Sequence, residues 1–439
     1  MCVILKEIVN VIGAGLAGSE AAYQLAKRGI EVNLYEMKRI KKTDAHKSDD
    51  FAELVCSNSL RSNDLKNAAG LMKEELRMFD SLVIKAADNN KVPAGSALAV
   101  DRDSFSGYIT KELENNPLIH IFDEEVKEID FNKYTIIATG PLTSHDLMES
   151  VKEFVGEDLL YFFDAIAPII EFDSIDMNIA YFKSRYDKGT ADYINCPMTK
   201  EEYDIWYNEV INAKTVELKD FELKVFEGCM PFEEIARRGY QTLTYGPMKP
   251  VGLGLEGEKR PYAVVQLRQD DLRKSMFNIV GFQTHLTFSE QTRIIRMIPG
   301  LEKANILRYG IMHRNSFINA PKSINSFYQS KKNPKIFFAG QLSGVEGYVE
   351  SIGSGFIAGI NMSRLIRGLG LIEFSHNTAL GSQSYYISNT NEADFQPMNT
   401  NFGIFPSLEE KHKKKDRKQL YAKRSLDAVK DMIGSGVLE

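Results

Sequence analysis

The start of the chain carries a hydrophobic pattern that predicts a β-strand, an α-helix and a second β-strand in direct succession. An apolar run at 7–12 has the length of a buried strand, and a glycine-rich turn follows it. Apolar residues then recur at helical spacing as far as Arg28, and Gly29 ends the helix. Residues 31–35 form the second strand, which ends at Glu36. This order is typical of a β-α-β unit with parallel strands.

Later segments extend this pattern. Apolar runs and helical spacing predict a strand at 51–56, a helix at 68–79, strands at 118–122, 134–138 and 336–339, a Gly/Ser-rich helix start at 351–360 and a charged helix from about 410. From about 160 to 320 the pattern changes, because aromatic residues are frequent and short strands alternate with turn sequences. We interpret 161–319 as an inserted α+β domain between two parts of a larger one.

Length, composition and charge narrow the class of protein. The 439 residues suffice for two or three domains. The chain contains no run of 18 apolar residues, so we expect no membrane span. None of the four cysteines belongs to a C-x-x-C pair, so we expect no zinc site. We expect the thiols to stay reduced, as they do in the cytosol. The net charge of −6 argues against non-specific coating of nucleic acid but allows a local basic patch.

The turn after the first strand fits a dinucleotide-binding motif. It reads Gly13-Ala14-Gly15-Leu16-Ala17-Gly18, which is G-x-G-x-x-G between a strand and a helix. The first glycine permits a tight turn, the second lets the backbone approach a pyrophosphate, and the third lets the helix pack on the strand. Glu36 stands where a carboxylate can accept hydrogen bonds from ribose hydroxyls.

Two later segments favour FAD over NAD as the dinucleotide. Thr139-Gly140 follows the strand at 134–138, and Gly340-Gln341 follows the strand at 336–339. Both resemble segments that meet FAD in flavoproteins with two dinucleotide-binding folds. The predicted fold class is therefore α/β: a Rossmann-like FAD domain built from 1–160 and 320–439, with the inserted α+β domain at 161–319.

Longer motifs identify a family resemblance over nearly the whole chain. The chain resembles the folate- and FAD-dependent tRNA uracil-5 methyltransferases in these segments, in order: VIGAGLAGSEAA (11–22), FAELVCSNSLRS (51–62), VPAGSALAVDRD (92–103), TIIATGPLTS (135–144), KSRYDKG (183–189), NCPMT (195–199), FEGCMPFE (226–233), RPYAVVQLRQD (260–270), NIVGFQTHL (278–286), MHRNSFIN (312–319), FFAGQLSGVEGYVES (337–351) and QPMNTNFGIFP (396–406). It departs from the family pattern in its short extra N-terminus, at 252–258 and at 351–355.

The resemblance implies an activity and its cofactors. A one-carbon unit would pass from 5,10-methylenetetrahydrofolate, through reduced FAD, to carbon 5 of a uridine in the T-loop of tRNA, and NADPH or NADH would recharge the flavin. Three alternatives stay open. The target could be a ribosomal RNA uridine, the chain could be a small-molecule flavin oxidoreductase, or it could be a flavin-bound RNA-binding protein without catalysis.

Two cysteines suit this chemistry. Carbon 5 of uracil becomes nucleophilic when a thiolate adds to carbon 6, and a base must then remove the carbon-5 proton. Cys229 lies between Gly228 and Pro231, in a turn that would present its thiol, and Cys56 precedes a polar turn. The resemblance places both at the active site. We favour Cys229 as the nucleophile and Cys56 as the proton partner, while the reverse assignment stays open. Cys196 is interpreted as structural and Cys2 as incidental.

Further residues are candidates for contacts with folate, flavin or RNA. The resemblance suggests that Tyr348 stacks near folate or flavin, and a core tyrosine is the alternative. His285 and the run His313-Arg314-Asn315 could contact folate or flavin, or be satisfied core residues. The Lys411–Lys418 run could touch RNA or be a solvated helix face. A basic RNA-contacting patch could comprise Lys183, Arg185, Arg237, Arg238, Arg268, Arg293 and Arg296.

Overall fold

The structure is a computed structural model that describes residues 7–43, 45–156, 159–187, 190–216, 230–393, 395–409 and 411–438, apart from the side chains of 162–164, 313 and 314. Its helices are α1 Leu16–Lys27, α2 Ala68–Met78, α3 Leu82–Asn89, α4 Arg102–Glu114, α5 His145–Val155, α6 Lys200–Ile211, α7 Phe232–Arg237, α8 Thr242–Tyr245, α9 Phe288–Ile295, α10 Ala320–Ser323, α11 Tyr348–Ile366, α12 Ala379–Asn389 and α13 Arg417–Gly434. Its strands are β1 Ile8–Ile12, β2 Glu31–Tyr35, β3 Ser59–Ser62, β4 Lys91–Val92, β5 Ala97–Val100, β6 Ile119–Phe122, β7 Tyr134–Ile137, β8 Leu160–Ala165, β9 Ile169–Glu171, β10 Tyr181–Phe182, β11 Tyr193–Met198, β12 Ala263–Gln269, β13 Met276–Ile279, β14 Ile306–Arg308, β15 Met312–Phe317 and β16 Ile336–Phe338.

A five-stranded parallel sheet organises the first body, in the order β16-β7-β1-β2-β6. Its central strands are apolar because both faces are covered, and Val9 and Val11 of β1 are fully buried. Strand β16 comes from the far end of the sequence and pairs with β7, so both ends of the chain build one sheet. This arrangement confirms the predicted α/β class with a Rossmann-like domain.

Helices α1 and α11 pack almost backbone to backbone on this sheet. A Cβ atom on Gly355 would lie 2.1 Å from the carbonyl oxygen of Ala17, and one on Gly359 would lie 3.0 Å from that of Ala21. Only glycine fits at Gly355, since ordinary carbon–oxygen contacts are longer than 3 Å. The unusual composition at 351–355 therefore permits close approach of the helix that follows β16 to the helix that follows the glycine-rich turn.

The second body is an antiparallel sheet in the order β10-β11-β12-β13-β9-β14, covered by short helices. Its core is aromatic: Trp206 stacks on Phe232 with ring centroids 5.9 Å apart, and Phe232 stacks on Phe282 at 4.6 Å. The chain enters this body along β8 and returns along β15, and these two strands pair with each other. We propose that this pair marks the boundaries of the inserted domain.

Several predicted elements are confirmed and three are wrong in their bounds or type. Strands β1, β2, β6, β7 and β16 and helix α2 form where the pattern predicts them. Helix α11 begins at Tyr348 rather than 351, since Gly347 at its N-cap has a φ of +107° that ends the preceding turn. Helix α13 begins at Arg417, so most of the Lys411–Lys418 run precedes it. Residues 51–56 form no strand.

No helix in the described ranges is both long and apolar enough to cross a membrane.

Candidate functional site

The three motif glycines occupy different environments at the turn between β1 and α1. Gly13 has a φ of +96°, and a Cβ there would lie 2.7 Å from the carbonyl oxygen of Ala138. A Cβ on Gly18 would lie 1.8 Å from the carbonyl oxygen of Gly13. A Cβ on Gly15, in contrast, would meet no atom within 4 Å. The first and third glycines therefore close the turn, and the second leaves open space in front of the helix start.

Glu36 connects the end of β2 to this turn. Its Oε2 accepts a hydrogen bond from the backbone N–H of Ala14 at 2.8 Å, and its Oε1 accepts one from the N–H of Lys38 at 2.9 Å. Each carboxylate oxygen can accept a further bond, because it carries a second lone pair. A cleft of about 610 Å³, including the part open to solvent, lies between Gly15, Glu36 and Thr139. Its wall also includes Lys38, whose pKa burial lowers.

The later predicted segments lie beside the same turn. Gly140 has a φ of +69° and follows Thr139 at the cleft wall. Gly340 has a φ of +73°, a Cβ there would lie 3.2 Å from the Cβ of Ala17, and its N–H donates to Ser354 Oγ at 2.7 Å. Its neighbour Gln341 donates to Glu346 Oε2 at 2.9 Å.

These residues fit a dinucleotide. The start of α1 offers backbone N–H groups and open space at Gly15 for a pyrophosphate, and Glu36 offers a carboxylate at the end of β2, where such folds bind ribose hydroxyls. Leu16, Ala17 and Gly18 are buried in the first turn of α1, so they shape the site through packing rather than through side-chain contact.

The segment that carries Cys56 passes directly behind the glycine-rich turn. The N–H of Ala52 donates to the carbonyl oxygen of Ala14 at 2.8 Å, and Ala52 has a φ of +52°. Phe51 and Leu54 are buried, as the apolar pattern predicts. The predicted strand is nevertheless wrong, because the carbonyl groups of this segment are satisfied by side chains instead of by a neighbouring strand.

Two arginines bind these carbonyl groups, and a third arginine binds the side chains of the two residues that follow Cys56. Arg102, at the start of α4, donates to the carbonyl oxygens of Leu54 and Cys56, the latter at 3.2 Å. Arg308 of β14 donates to the carbonyl oxygen of Val55 at 2.6 Å. Arg268 of β12 donates to Ser57 Oγ at 2.7 Å and to Asn58 Oδ1 at 3.2 Å. Two of the three arginines come from the second body, so the Cys56 segment lies where the two bodies meet.

Electrostatics at this junction are dominated by positive charge. Arg102 forms an ion pair with the buried carboxylate of Asp270 at 2.9 Å, and this charge raises its pKa even though burial opposes the shift. Burial lowers the pKa of Arg268, and burial together with the charge of Arg102 lowers that of Arg308. All three remain protonated at neutral pH. Anionic groups are therefore favoured beside Cys56.

Tyr348, the first residue of α11, contacts the same segment. Its phenolic oxygen accepts hydrogen bonds from the N–H of Cys56 at 2.8 Å and of Ser57 at 3.1 Å. Burial raises the pKa of Tyr348, and the neighbouring Cys56 adds to the shift. The hydroxyl is therefore protonated at neutral pH.

The sequence is similar to known proteins over almost its full length. A model of the family described as "Glucose inhibited division protein A" matches residues 8–370. Curated proteins named methylenetetrahydrofolate–tRNA-(uracil-5-)-methyltransferase TrmFO from Bacillus licheniformis and Exiguobacterium sp. are each 57% identical over 431 residues, which is 98% and 97% of this chain and 99% of each relative. The chain belongs to the TrmFO family.

Solved structures agree with this family at the level of the fold. Aquifex aeolicus GidA superposes with a TM-score of 0.71 in each of two crystal forms, at 16% and 17% sequence identity. The matches cover 100% and 98% of this chain and 75% and 76% of the GidA chain. This chain therefore has a GidA-like fold.

The cysteines of this TrmFO-family chain differ in environment. Cys56 is partly exposed. Cys196 of β11 is fully buried, and burial raises the pKa of its thiol, which agrees with a structural role. Cys229, the predicted nucleophile, lies outside the described residues, as does Cys2.

The predicted histidine and RNA contacts have mixed outcomes. His285 is buried, with Nδ1 2.9 Å from Glu233 Oε1, whereas the side chains of His313 and Arg314 lie outside the description. Arg268 does not belong to a surface patch, because it is buried against Ser57 and Asn58. The guanidinium group of Arg185 donates to the carbonyl oxygen of Lys249 at 3.0 Å, so part of its hydrogen-bonding capacity is used within the protein. No role in RNA contact follows for either arginine.

The sequence analysis did not identify Arg102, Arg308 and Asn58, which hold the Cys56 segment and the residues beside it. Arg102 and Asp270 stand within the matching segments VPAGSALAVDRD and RPYAVVQLRQD, so the signal for them was present. Arg308 lies outside the matching segments, and no local pattern in the sequence indicates it.

Proposed function

We propose that this chain transfers a one-carbon unit from 5,10-methylenetetrahydrofolate to carbon 5 of a uridine in the T-loop of tRNA, which yields 5-methyluridine. The observation that carries this proposal is 57% identity, over 98% of the chain, to curated enzymes named for this activity. Such an enzyme would work in the cytoplasm, with its tRNA substrate. The proposed cofactors are FAD and folate, with NADPH or NADH as the source of electrons.

The described residues support a defined position for FAD. Gly15 would leave space for its pyrophosphate at the start of α1, Gly13 and Gly18 would keep the turn and the helix in place, and Glu36 would accept hydrogen bonds from its ribose. Thr139-Gly140 and Gly340-Gln341 would hold the rest of the cofactor from the neighbouring strand ends β7 and β16. Bound FAD would supply the redox chemistry that links folate to the methyl product.

The chain's own thiols would act on the uracil ring. We assign Cys229 as the nucleophile that adds to carbon 6, which places negative charge on the ring and makes carbon 5 reactive. We assign Cys56 as the partner that accepts the carbon-5 proton before Cys229 leaves. The guanidinium groups of Arg102 and Arg308 hold the Cys56 segment and supply positive charge beside it. The target uridine would have to leave its stack to reach both thiols.

The test is methyl transfer in vitro. Purified protein with FAD and NADPH receives isotope-labelled methylenetetrahydrofolate and either unmodified tRNA or ribosomal RNA. We expect label in 5-methyluridine of tRNA, and its loss in Cys229→Ala and in Cys56→Ala. Cys196→Ala is the matched control, because that thiol is buried in β11.

Each other outcome selects a different function. Label in ribosomal RNA alone would retain the chemistry and change the substrate. Brisk NADPH oxidation without label in either RNA would overturn the methyltransferase proposal and favour a flavin oxidoreductase. Repeating the assay with NADH decides which nicotinamide cofactor is preferred.

A further inference from the structure

A tyrosine at the surface of the second body has a backbone conformation that residues other than glycine rarely adopt. Tyr186 has a φ of +60° and Asp187 has a φ of +52°, so two successive side-chain-bearing residues lie in the left-handed region. Such a conformation costs free energy, persists only where neighbouring contacts impose it, and is common at functional sites. Tyr186 is nevertheless 55% exposed, so the strained backbone does not serve to bury its ring.

Backbone contacts hold Tyr186 against a neighbouring loop. The N–H of Tyr186 donates to the carbonyl oxygen of Gly252 at 2.8 Å. Arg185 donates to the carbonyl oxygens of Lys249 and Val251 at 3.0 and 2.5 Å. Gly252 has a φ of +80°, and a Cβ there would lie 2.7 Å from the Tyr186 ring. One side of the ring therefore rests on a glycine, and the rest of the ring is held open to solvent.

The Tyr186 loop is connected to the cysteine segment along strand β12. Arg185 donates to Gln266 Oε1 at 3.0 Å. Gln266 precedes Arg268 by two residues, so both side chains lie on one face of the strand, about 7 Å apart. Arg268 in turn donates to Ser57 Oγ at 2.7 Å. Exposure increases along this line, from buried Arg268 through partly buried Gln266 to exposed Tyr186. Tyr186 therefore lies at the rim of the junction between the two bodies.

The cations beside Tyr186 are engaged within the protein. Lys183 Nζ lies 2.6 Å from Asp187 Oδ1, and Arg185 donates to three protein oxygens. An exposed ring among compensated charges offers a flat apolar surface rather than a phosphate site. Aromatic side chains of this kind bind unpaired nucleobases by stacking, and they accept any base because each base has a π-face.

We propose that Tyr186 is a stacking site for an unpaired base of the RNA substrate, next to the uridine that enters the active site. A uridine that leaves its stack exposes the neighbouring base, and stacking on Tyr186 replaces the contact that this base loses. The proposal rests on the proposed function and adds to it a residue that contacts the RNA.

The first test measures tRNA binding to the FAD-loaded protein, without folate or NADPH, at several salt concentrations. Tyr186→Phe keeps the aromatic ring, whereas Tyr186→Leu keeps an apolar contact with Gly252 and removes the ring. We expect Tyr186→Phe to bind like the wild type and Tyr186→Leu to raise Kd about fivefold or more. The slope of log Kd against log salt should stay unchanged in both variants, because no phosphate contact is lost.

The control is a second exposed aromatic residue away from the cleft. Phe131 is 41% exposed, stacks on Phe154 with ring centroids 4.9 Å apart, and precedes the amino end of β7. The cleft lies at the carboxyl ends of the same parallel strands. Phe131→Leu should therefore bind tRNA like the wild type. Thermal unfolding of each variant verifies that the fold is retained.

A second test detects the stacked base directly. Two tRNAs carry 2-aminopurine on one or the other side of the target uridine, and saturating protein is added to each. We expect wild type and Tyr186→Phe to quench the fluorescence of one of them, and Tyr186→Leu to quench it much less.

Three results would overturn the stacking site: equal Kd and quenching in wild type and Tyr186→Leu, a changed salt slope in Tyr186→Leu, or loss of binding in Tyr186→Phe. If the wild type then still transfers the methyl group, the proposed function stands. A wild type that shows the expected binding and quenching but transfers no methyl group to tRNA would overturn the proposed function and support the stacking site.

Discussion

At the scale of single residues, the glycines of the glycine-rich turn serve two different purposes. One is close packing of the backbone, and the other is open space for a ligand. Gly18 is needed for packing, since any side chain would collide with the carbonyl of Gly13. Gly15 has a helix-compatible φ of −72° and open space around its missing side chain. The fold therefore does not require glycine at this position, whereas a bound pyrophosphate would.

This difference predicts opposite effects of two alanine substitutions. Gly15→Ala should leave the thermal unfolding of the FAD-free protein unchanged and weaken FAD binding by about tenfold or more, because the methyl group enters the pyrophosphate space. Gly18→Ala should lower the free energy of unfolding by about 1–3 kcal/mol through overpacking. Calorimetry and FAD titration measure the two quantities. Gly370→Ala is the control, since its Cβ also meets open space. Equal destabilisation by both motif variants would contradict this assignment.

Residues near each other in sequence were predictable, and residues joined across the fold were not. Gly13, Gly15, Gly18 and Glu36 were predicted correctly as neighbours, because one β-α-β unit brings them together. The contact between Arg308 and the carbonyl of Val55 joins residues 253 positions apart. Neither the hydrophobic periodicity nor the spacing of motifs in the sequence indicates that these two residues are in contact. The inverse error concerns Arg268, a cation that was predicted to be at the surface and is buried.

At the scale of elements, one buried carboxylate joins three helices. Glu75 of α2 accepts hydrogen bonds from the N–H groups of Ala379 and Leu380 at 2.6 and 3.0 Å, so it caps the N-terminus of α12. It also accepts the hydroxyl of Ser425 on α13. Burial raises the pKa of Glu75 from its ordinary 4.5 to about 7, although these hydrogen bonds favour the charged form.

The raised pKa predicts a pH-dependent contribution to stability. The contribution is fully present below about pH 4.5 and is lost as the pH rises through about 7, because the unfolded carboxyl ionises first. The free energy of unfolding of wild type relative to Glu75→Gln should therefore fall by up to about 3 kcal/mol over this range. Urea unfolding at several pH values measures the difference. Glu74→Gln is the control on the same helix, because the Glu74 side chain is only partly buried and pairs with Arg77 at the surface. A constant difference between wild type and Glu75→Gln would contradict the prediction.

The segment at 51–56 explains why an element can be mispredicted from a correct pattern. Its apolar residues are buried as expected, and burial is what a hydrophobic run reports. A strand also requires a partner for its backbone groups, and here the partners are arginine side chains and the carbonyl of Ala14. The family resemblance predicts Cys56 at the active site, whereas the local backbone of this segment depends on residues from both bodies.

At the scale of the whole molecule, Asn58 ties the two bodies together. Its side-chain amide donates to the carbonyl oxygens of Val100 in β5 and Gln269 in β12, each at 3.0 Å, and its Oδ1 accepts from Arg268. Asn58 is fully buried, so water cannot replace these partners. The side chain of Asn58 therefore both holds the second body against the first and fixes the position of the Cys56 segment.

Asn58→Ala should weaken this docking. We expect a loss of about 2–4 kcal/mol, since several buried groups lose their partner. The chain's single tryptophan, Trp206, is buried in the second body and reports its unfolding by fluorescence, while release of FAD reports the first body. The two transitions should coincide in wild type and separate in Asn58→Ala. Exposed Asn389→Ala should behave as wild type, and coincident transitions in Asn58→Ala would refute the role of Asn58.

The pairing of β8 with β15 has a consequence for the evolution and engineering of this protein. Ala165 faces Met312 across the ladder, so the long excursion between them starts and finishes at adjacent points. The intervening residues can therefore be exchanged as a cassette between relatives without rerouting the rest of the chain. Such a graft must carry arginines equivalent to Arg268 and Arg308, because the recipient's cysteine segment takes its shape from them.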